Sequence, residues 1–466
     1  MSRPRFPFRS LFLLAALLLL AAVFSPSLVA QDGCELTRED PYGLSCLVDF
    51  ISAPNPPQSI ARFSEQLSVR VVGKGVLQDP PEVDDFMGAD TARGDTDPKE
   101  RDPEDVPPEE QVYNVFNTGN LWEYEVTMGP QMLDAIHARR DAAGETQATE
   151  PVDDPESLEM LLRLYLPMAA GGNSSANARM GWSNGNDSRI IRTPTTLWPW
   201  RTISQFHSVG GNNSNCTGTL IGPRHLITAA HCINRMGTNV WYTFGVAPGR
   251  NGVSTMPYGD STIDPNPSPG DPVRWYWTHS AWRNNCENAN TATTAEKLEC
   301  TKYDIGLIVI PDRLGEQTGW MGYVARPAGA LNVEDNLNRG YPKCDTDGDP
   351  EPDGELDDEP ANCQVARLYG HTGICSMGDY LEPLSNGWNR IIRNSCDISP
   401  GHSGSAVYHY WDPPQIPGND SYAVVAMVEV WQHCVQCGPS DDYPSRARRI
   451  TPGVLDVISW LRETFP

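Results

Sequence analysis

Basic side chains are scarce in this 466-residue chain: 35 Lys and Arg stand against 60 Asp and Glu, a formal charge of −25. Nucleic acids and anionic membrane surfaces reward Lys and Arg, so this balance argues against either as a partner. Long apolar runs are also lacking. Past residue 30 no stretch reaches the ~20 apolar residues a helix needs to cross a bilayer, and 39% apolar content is too low for a polytopic membrane protein. There is no internal repeat, and Gly plus Pro (40 and 41 residues) stay below the level of a low-complexity chain. Helical periodicity is nearly absent between Trp182 and Pro452. What remains is a chain with the length of roughly three domains and enough apolar residues for one or two ordinary cores.

Export is written at the start. Arg3, Arg5 and Arg9 precede an unbroken apolar run from Leu11 to Phe24, which is followed by Ser25-Pro26-Ser27-Leu28-Val29-Ala30. A basic start, a short apolar stretch and a small residue at the end match a secretory signal over residues 1–30. An uncleaved anchor is the alternative, but the run is short for a span. Twelve cysteines, an even number, fit the oxidising compartment that export implies. The expected product is soluble and secreted or extracellular, with no membrane contact after signal removal.

Residues 31–180 read as a pro-region or accessory region, in which Cys34 and Cys46 can pair with each other. Residues 79–110 are dominated by Asp, Glu and Pro; they cannot bury enough apolar surface to offset their ordering entropy and are expected to form a disordered linker. Leu121-Trp122-Glu123-Tyr124-Glu125-Val126 alternates like a strand. Asp154-Pro155-Glu156 is expected to open a helix with Leu158, Leu161, Leu162 and Tyr165 on its apolar face. Gly171 to Asp187, rich in Gly, Asn and Ser, has the composition of an exposed, cleavable joint. From residue 181 to 466 short runs of Val, Ile, Trp, Tyr and Thr recur between turn residues, as in Arg201–Phe206, Thr219–Thr228, Val240–Val246, Ile305–Ile310 and Tyr422–Trp431. This texture predicts an all-β barrel or sandwich. Val454, Val457, Ile458 and Leu461 then mark one face of a terminal helix over Gly453–Phe465.

Three segments carry potential chemistry: Leu226-Ile227-Thr228-Ala229-Ala230-His231-Cys232, Tyr303-Asp304-Ile305-Gly306-Leu307, and Cys396-Asp397-Ile398-Ser399-Pro400-Gly401-His402-Ser403-Gly404-Ser405. Each alone has an ordinary structural reading, as a core histidine, a turn-capping aspartate and a tight turn. Together they have another. A serine hydroxyl is a poor nucleophile until an imidazole can accept its proton, and the imidazole needs a carboxylate to fix its tautomer. The chain supplies these groups in the order His, Asp, Ser.

That order and these motifs resemble the chymotrypsin/trypsin-like serine proteases. Thr228-Ala229-Ala230-His231-Cys232 is similar to the family's histidine motif, Asp304-Ile305-Gly306-Leu307 to its aspartate strand, and Gly401-His402-Ser403-Gly404-Ser405 to its nucleophile loop. The Gly-x-Ser-Gly-Ser ending, with Asp187-Ser188-Arg189-Ile190-Ile191 before Trp198-Pro199-Trp200-Arg201, resembles the bacterial glutamyl-endopeptidase-like branch. The resemblance covers roughly residues 182–466. It implies two six-stranded β-barrels with a C-terminal helix, the site lying in the cleft between them, and a Cys216–Cys232 disulfide. It also implies roles. Ser403 would attack the scissile carbonyl, His231 would serve as base and then acid, and Asp304 would orient His231. The N–H groups of Gly401 and Ser403 would form the oxyanion hole, where loss of one donor typically costs about 3 kcal/mol of barrier. The expected activity is that of a secreted serine endopeptidase acting on proteins or peptides and made as a zymogen, its activating protease unknown.

The resemblance has one departure. In trypsin-type zymogens an Asp just before the serine pairs with the newly cut amino terminus, whereas this chain has His402 there and cannot form that ion pair. Residues 31–180 are therefore expected to be a propeptide removed by a cut between about Ala176 and Arg189, a permanent accessory domain being the alternative. Asp397, six residues before Ser403, and Glu429, on the strand expected to line the same pocket, point to a basic side chain at the scissile bond. An acidic preference, with Asp397 only bracing its turn, is the other reading.

Two alternatives to a protease can be weighed from the residues. A catalytically inactive binding module, or pseudoprotease, is opposed by the presence of all three catalytic residue types and the glycine donor. An α/β-hydrolase esterase would need Gly where Ser405 stands, and its histidine would follow the serine.

The other cysteines read as structural: Cys286–Cys300 and Cys344–Cys363 each bracket a polar insert. Cys375, Cys396, Cys434 and Cys437 pair as 375–396 with 434–437, or cross over, and the lone Cys434-Val435-Gln436-Cys437 reads as a disulfide component before it reads as zinc. No cofactor is required. Asp349, Glu351 and Asp353, with Gly354 at a sharp turn, resemble calcium ligands, but Pro360 occupies the place of the final bidentate Glu. A calcium loop and a solvated acidic loop differ in one observable. With that Glu missing, EDTA is expected to leave the melting temperature unchanged; a fall on chelation would establish the calcium loop.

Overall fold

The computed structural model describes residues 44–80, 111–136 and 188–465, apart from short internal segments at 57–59, 65, 134–135, 213, 263–272, 327, 333, 345–359, 361, 384–388, 412–421 and 433–444. The expected signal, Cys34, most of the acidic linker, the helix expected near residue 158, the cleavable joint, the candidate calcium ligands and the Cys434–Cys437 pair lie outside the described residues.

The strands, in chain order, begin with β1 (Ile60–Arg62), β2 (Leu67–Lys74), β3 (Val76–Gln78), β4 (Val112–Asn117), β5 (Trp122–Met128) and β6 (Ile190–Ile191). They continue as β7 (Ile203–His207), β8 (Ser214–Leu220), β9 (His225–Thr228), β10 (Val240–Tyr242), β11 (Gly245–Pro248), β12 (Trp275–His279) and β13 (Gly306–Val309). The rest are β14 (Gly322–Tyr323), β15 (Leu337–Gly340), β16 (Tyr369–Gly370), β17 (Met377–Pro383), β18 (Asn389–Asn394), β19 (Ala406–Trp411), β20 (Tyr422–Gln432) and β21 (Ser445–Arg449). The single run expected at Thr219–Thr228 divides into β8 and β9, because Gly222-Pro223 turns the chain and Pro has no N–H for a ladder. The helix expected near the end spans Pro452–Thr464.

The all-β class is borne out. One sheet has ten strands, in the order β1-β2-β5-β4-β12-β13-β9-β8-β7-β11; the other has nine, running β17-β18-β21-β20-β19-β15-β16-β6 with β14 on β20. In the first sheet the six strands from β12 to β11 come from residues 203–309, the number the resemblance implies for one barrel. The count rises to ten because β4 pairs with β12 and brings β5, β2 and β1 with it. β3 separately pairs in parallel with β10.

Aromatic side chains fill the first sheet's core. Phe206 stacks on Phe244 at 4.5 Å, Phe244 on Tyr276 at 5.9 Å, Tyr276 on Trp241 at 6.0 Å and Trp241 on Phe116 at 4.9 Å. The terminal helix closes that sheet from outside the stack, with Trp460 edge-on to Trp277 at 4.6 Å and Phe465 at 5.4 Å from Trp275. Truncating a buried Trp of this kind typically costs about 3–5 kcal/mol. All four residues expected on the helix's apolar face are buried, but so are Asp456 and Ser459, so the helix is enclosed beyond one stripe.

Glu123 on β5 is fully buried, with its carboxylate 2.6 Å from Arg283 Nε and accepting from Asn114 Nδ2 at 3.1 Å. Burial pushes its carboxyl from about 4.5 up to about 7; Arg283 pulls it down by charge and hydrogen bond, and nearby Glu125 adds to the rise. A carboxyl raised by folding holds a proton that the unfolded chain has already released, so this group makes stability fall as pH climbs from about 4.5 to about 7. Glu123→Gln should flatten the pH dependence of Tm across that window; an unchanged slope would contradict the assignment.

Candidate active site

The register of two strands brings the imidazole and carboxylate together. β9 and β13 are antiparallel with Thr228 opposite Gly306, so the residues just beyond that pair, Ala229–His231 on one chain and Asp304 on the other, meet at the sheet's end. Gly306 has no side chain for a reason: a Cβ there would press on the Ala229 carbonyl oxygen at 2.9 Å. His231 sits in the short helical turn Ala230–Cys232. Asp304 is fully buried, and its Oδ2 lies 2.6 Å from His231 Nδ1 while its Oδ1 accepts the His231 backbone N–H at 2.9 Å. This two-point hold fixes the ring against the carboxylate. With Nδ1 carrying the proton toward Asp304, Nε2 is the nitrogen turned toward other chemistry.

Ser403 is brought to the same place by contacts from β8. The Ser403 carbonyl accepts the N–H of Thr217 at 2.8 Å, and Cys232 Sγ lies 3.5 Å from that carbonyl oxygen. Because Cys232 directly follows His231, the Ser403 loop and the histidine turn touch. The Cys216–Cys232 disulfide joins that turn to β8, as the resemblance implied. Gly404 has φ +80° and packs against Thr228 and Thr217, and Gly401 has φ +89° with its α-carbon against Lys343 and Tyr341. Side chains rarely adopt that conformation, and here one would also collide with backbone. The loop's own N–H groups are largely internal: His402 donates to Ser399 O at 2.9 Å, Gly404 to Glu429 O at 2.7 Å and Ser405 to His402 O at 2.8 Å. Gly401 and Ser403 are the residues whose N–H groups the resemblance assigns to an oxyanion.

His402 is fully buried, 3.4 Å from Arg189 Nη1 and 3.5 Å from Ser399 Oγ. Burial first, and then the Arg189 charge, hold its pKa far below the ordinary imidazole range, so the ring is neutral. Asp397 and Glu429, the candidate specificity residues, keep different company. Asp397, 2% exposed, accepts from the Ser188 N–H at 3.0 Å and the Ser188 hydroxyl at 2.5 Å, and lies 3.1 Å from His371 Nδ1. Burial would raise its carboxyl, but the His371 hydrogen bond and charge, with Ser188's two donors, outweigh this and hold it below the usual carboxylate value. Glu429 is fully buried and accepts from Asn394 Nδ2 at 3.3 Å; burial pushes its carboxyl well above the ordinary range, the Asn394 bond opposing. Asn394 also accepts the Cys396 N–H at 2.9 Å, and so ties the two segments together. Sequence reasoning missed Ser188, His371 and Asn394 as partners. The first belongs to the segment that resembles a mature start, yet nothing in the sequence pairs it with a residue 209 positions away.

Cys286–Cys300, Cys344–Cys363 and Cys375–Cys396 are bonded as first read, with 375–396 taking the uncrossed choice. Cys216, His231 and Cys232 cluster closely enough to suggest a metal site, but both sulfurs are joined to each other and offer no thiolate.

The chain also resembles known proteins. A family model described as Trypsin matches residues 190–260, the stretch that carries Cys216, His231 and Cys232. The chain is 31% identical over 165 residues to a glutamyl endopeptidase of Bacillus licheniformis, covering 35% of this chain and 43% of that protein. It is 29% identical over 142 residues to a protein of Bacillus subtilis named extracellular metalloprotease, covering 30% and 38%. The chain thus spans about two fifths of the length of these curated relatives. A solved structure of a Glu endopeptidase in complex with MPD aligns with 60% of this chain and 98% of its own at 20% identity, with a TM-score of 0.38. Sequence motifs and relatives together support one class, the chymotrypsin/trypsin-like serine proteases. Within it the likeness is to the glutamyl-endopeptidase-like branch.

A carboxylate lowered in the fold contributes stability that is present above its unfolded value, near 3.8, and is lost as pH falls through the folded one. Asp397→Asn should therefore cost about 2 kcal/mol at neutral pH, the scale of a hydrogen bond to a charged group. The gap from wild type should narrow in acid. Denaturant melts at both pH values check this, and a gap that widens in acid would contradict it.

Proposed function

We propose that the chain is a secreted serine endopeptidase that hydrolyses peptide bonds through an acyl-enzyme, with Ser403, His231 and Asp304 as its triad. The observation that carries this reading is the buried Asp304 carboxylate held on both the ring and the backbone of His231, with the Ser403 loop against the next residue. Ser403 Oγ attacks the scissile carbonyl carbon while His231 Nε2 takes its proton. The oxyanion that forms is met by the N–H groups of Gly401 and Ser403. His231 then returns the proton to the leaving amine, and water, activated by the same imidazole, releases the acid and restores Ser403. Asp304 stabilises the imidazolium in both halves. No cofactor enters any step.

Secretion is supported by the basic, then apolar, amino-terminal run and by the disulfides. The chain is made as a zymogen, cut between Ala176 and Arg189. Support comes from the composition of that joint and from the Ser188 N–H beside Asp397. A cut directly before Ser188 would turn that N–H into an ammonium next to a buried carboxylate, a pairing that His402 cannot provide. As to specificity, three hydrogen bonds from Ser188 and His371 to Asp397 favour its role as a brace, and the raised carboxyl of Glu429 is a neutral acid rather than a fixed charge.

The test compares secreted wild type with Ser403→Ala on denatured casein, alongside labelling by a fluorophosphonate. The variant should fold with an unchanged melting curve, lose the label and lose activity by on the order of 10⁶-fold, the scale of removing such a nucleophile. Activity retained by the alanine variant, or a wild type that is neither labelled nor active, would point instead to a binding module.

A further inference from the structure

The strands that precede residue 130 continue the sheet that carries His231 and Asp304. β4 pairs with β12 through five consecutive residues, from Asn117 opposite Trp275 to Tyr113 opposite His279. The loops on either side are stitched as well: the Arg274 N–H donates to Thr118 Oγ1 at 2.8 Å, Thr118 N–H to Arg274 O at 3.1 Å, and Val76 N–H to Asn239 O at 2.8 Å. Thr243 donates its N–H to Gln78 O at 2.8 Å and its hydroxyl to Asp79 Oδ1 at 2.5 Å. Phe116, fully buried, lies flat on Trp241 with only 4° between the rings. Taking these strands away would expose Trp241 and Tyr276, open the β12 edge and strip Arg283 of its buried Glu123 partner.

The same strands also back the triad carboxylate. The Tyr113 ring lies 5.1 Å from that of His279, and His279 lies 5.7 Å from Tyr303, the residue immediately before Asp304. Tyr303 belongs to the short turn Thr301–Tyr303, whose Thr301 carbonyl accepts the Asp304 N–H at 3.0 Å. His279 is fully buried, and burial, with Arg448 and Arg390 nearby, keeps it uncharged. It is a spacer between two phenols, its ring tilted 38° to that of Tyr113 and 53° to that of Tyr303.

We propose that the strands β1 to β5 are a standing part of the catalytic unit: β4 stays paired with β12 after the zymogen is cut, and Tyr113, through His279 and Tyr303, positions the turn that presents Asp304. The positioning half rests on Asp304 being the triad carboxylate; the retention half does not.

Two experiments on the full secreted chain separate these. In the first, the recognition sequence of a specific protease replaces residues 176–181, the chain is cut there, and the product is run by size exclusion and native mass spectrometry. Both pieces should travel as one particle and part only in denaturant. An amino-terminal piece that elutes alone while the remainder stays folded would overturn retention, whatever the activity. In the second, Tyr113→Ala and Tyr113→Phe are compared by kcat, KM and the rate of fluorophosphonate labelling. Tyr113→Ala should lower kcat and labelling by up to about tenfold, the scale of one aromatic pair, with KM little changed. Tyr113→Phe should restore both. If the alanine variant does not fold, Tyr113→Leu, which keeps the bulk without the ring, should show the same loss. A kcat equal to wild type in a folded ring-less variant would overturn positioning, and an inactive, unlabelled wild type would instead remove the triad on which it rests.

Discussion

The pairing of β13 with β9 is the constraint on which the site depends. It delivers a carboxylate from one strand end and an imidazole from the other to the same corner, with no need for long side chains to search for each other. An interaction between a buried carboxylate and an imidazole is strong only where water is kept out and geometry is already set. Both conditions come from the sheet: Asp304 is fully enclosed, and the backbone N–H of His231 takes one of its oxygens before the ring takes the other. A one-residue slip would send every side chain of the strand to the opposite face. The glycine at 306 and the buried core behind it hold the register.

Around that corner, the charged groups of a strongly acidic chain are handled individually. Asp304, Asp397, Glu123 and Glu429 are all buried, and each has a different environment. Asp397 gains enough donors to stay ionised, whereas Glu429, with one amide, is driven toward its neutral form. Glu123 lies between them, near neutrality, facing Arg283. Burial is common to all; the number and charge of the donors decide the outcome.

Much of this was legible in the residues. The short β-branched and aromatic runs between turn residues located strands such as β7, β13 and β20, the apolar spacing located the terminal helix, and two of the motifs meet with Asp304 on His231 while the Ser403 loop touches Cys232. The Cys216–Cys232 bond was legible from its motif. What could not be read was pairing between distant segments. β5 alternates like a strand, but nothing in its sequence or in that of β4 says that β12 is their neighbour. Ser188 and His371 are ordinary polar residues until the fold sets both on Asp397. The four strands added to the first sheet were out of reach for the same reason: local pattern predicts that a strand exists, and only the assembled edge decides which sheet receives it.

The amino-terminal strands also change where the first sheet ends. Without them its margin would be β12, a five-residue run of Trp, Tyr and Trp with backbone donors facing outward. With them the margin is β1, three residues long and finished by exposed Arg62. Short, charged margins give a second molecule little to zip onto, whereas long aromatic ones invite it. At high concentration that substitution would keep copies of the protein from adding to one another strand by strand.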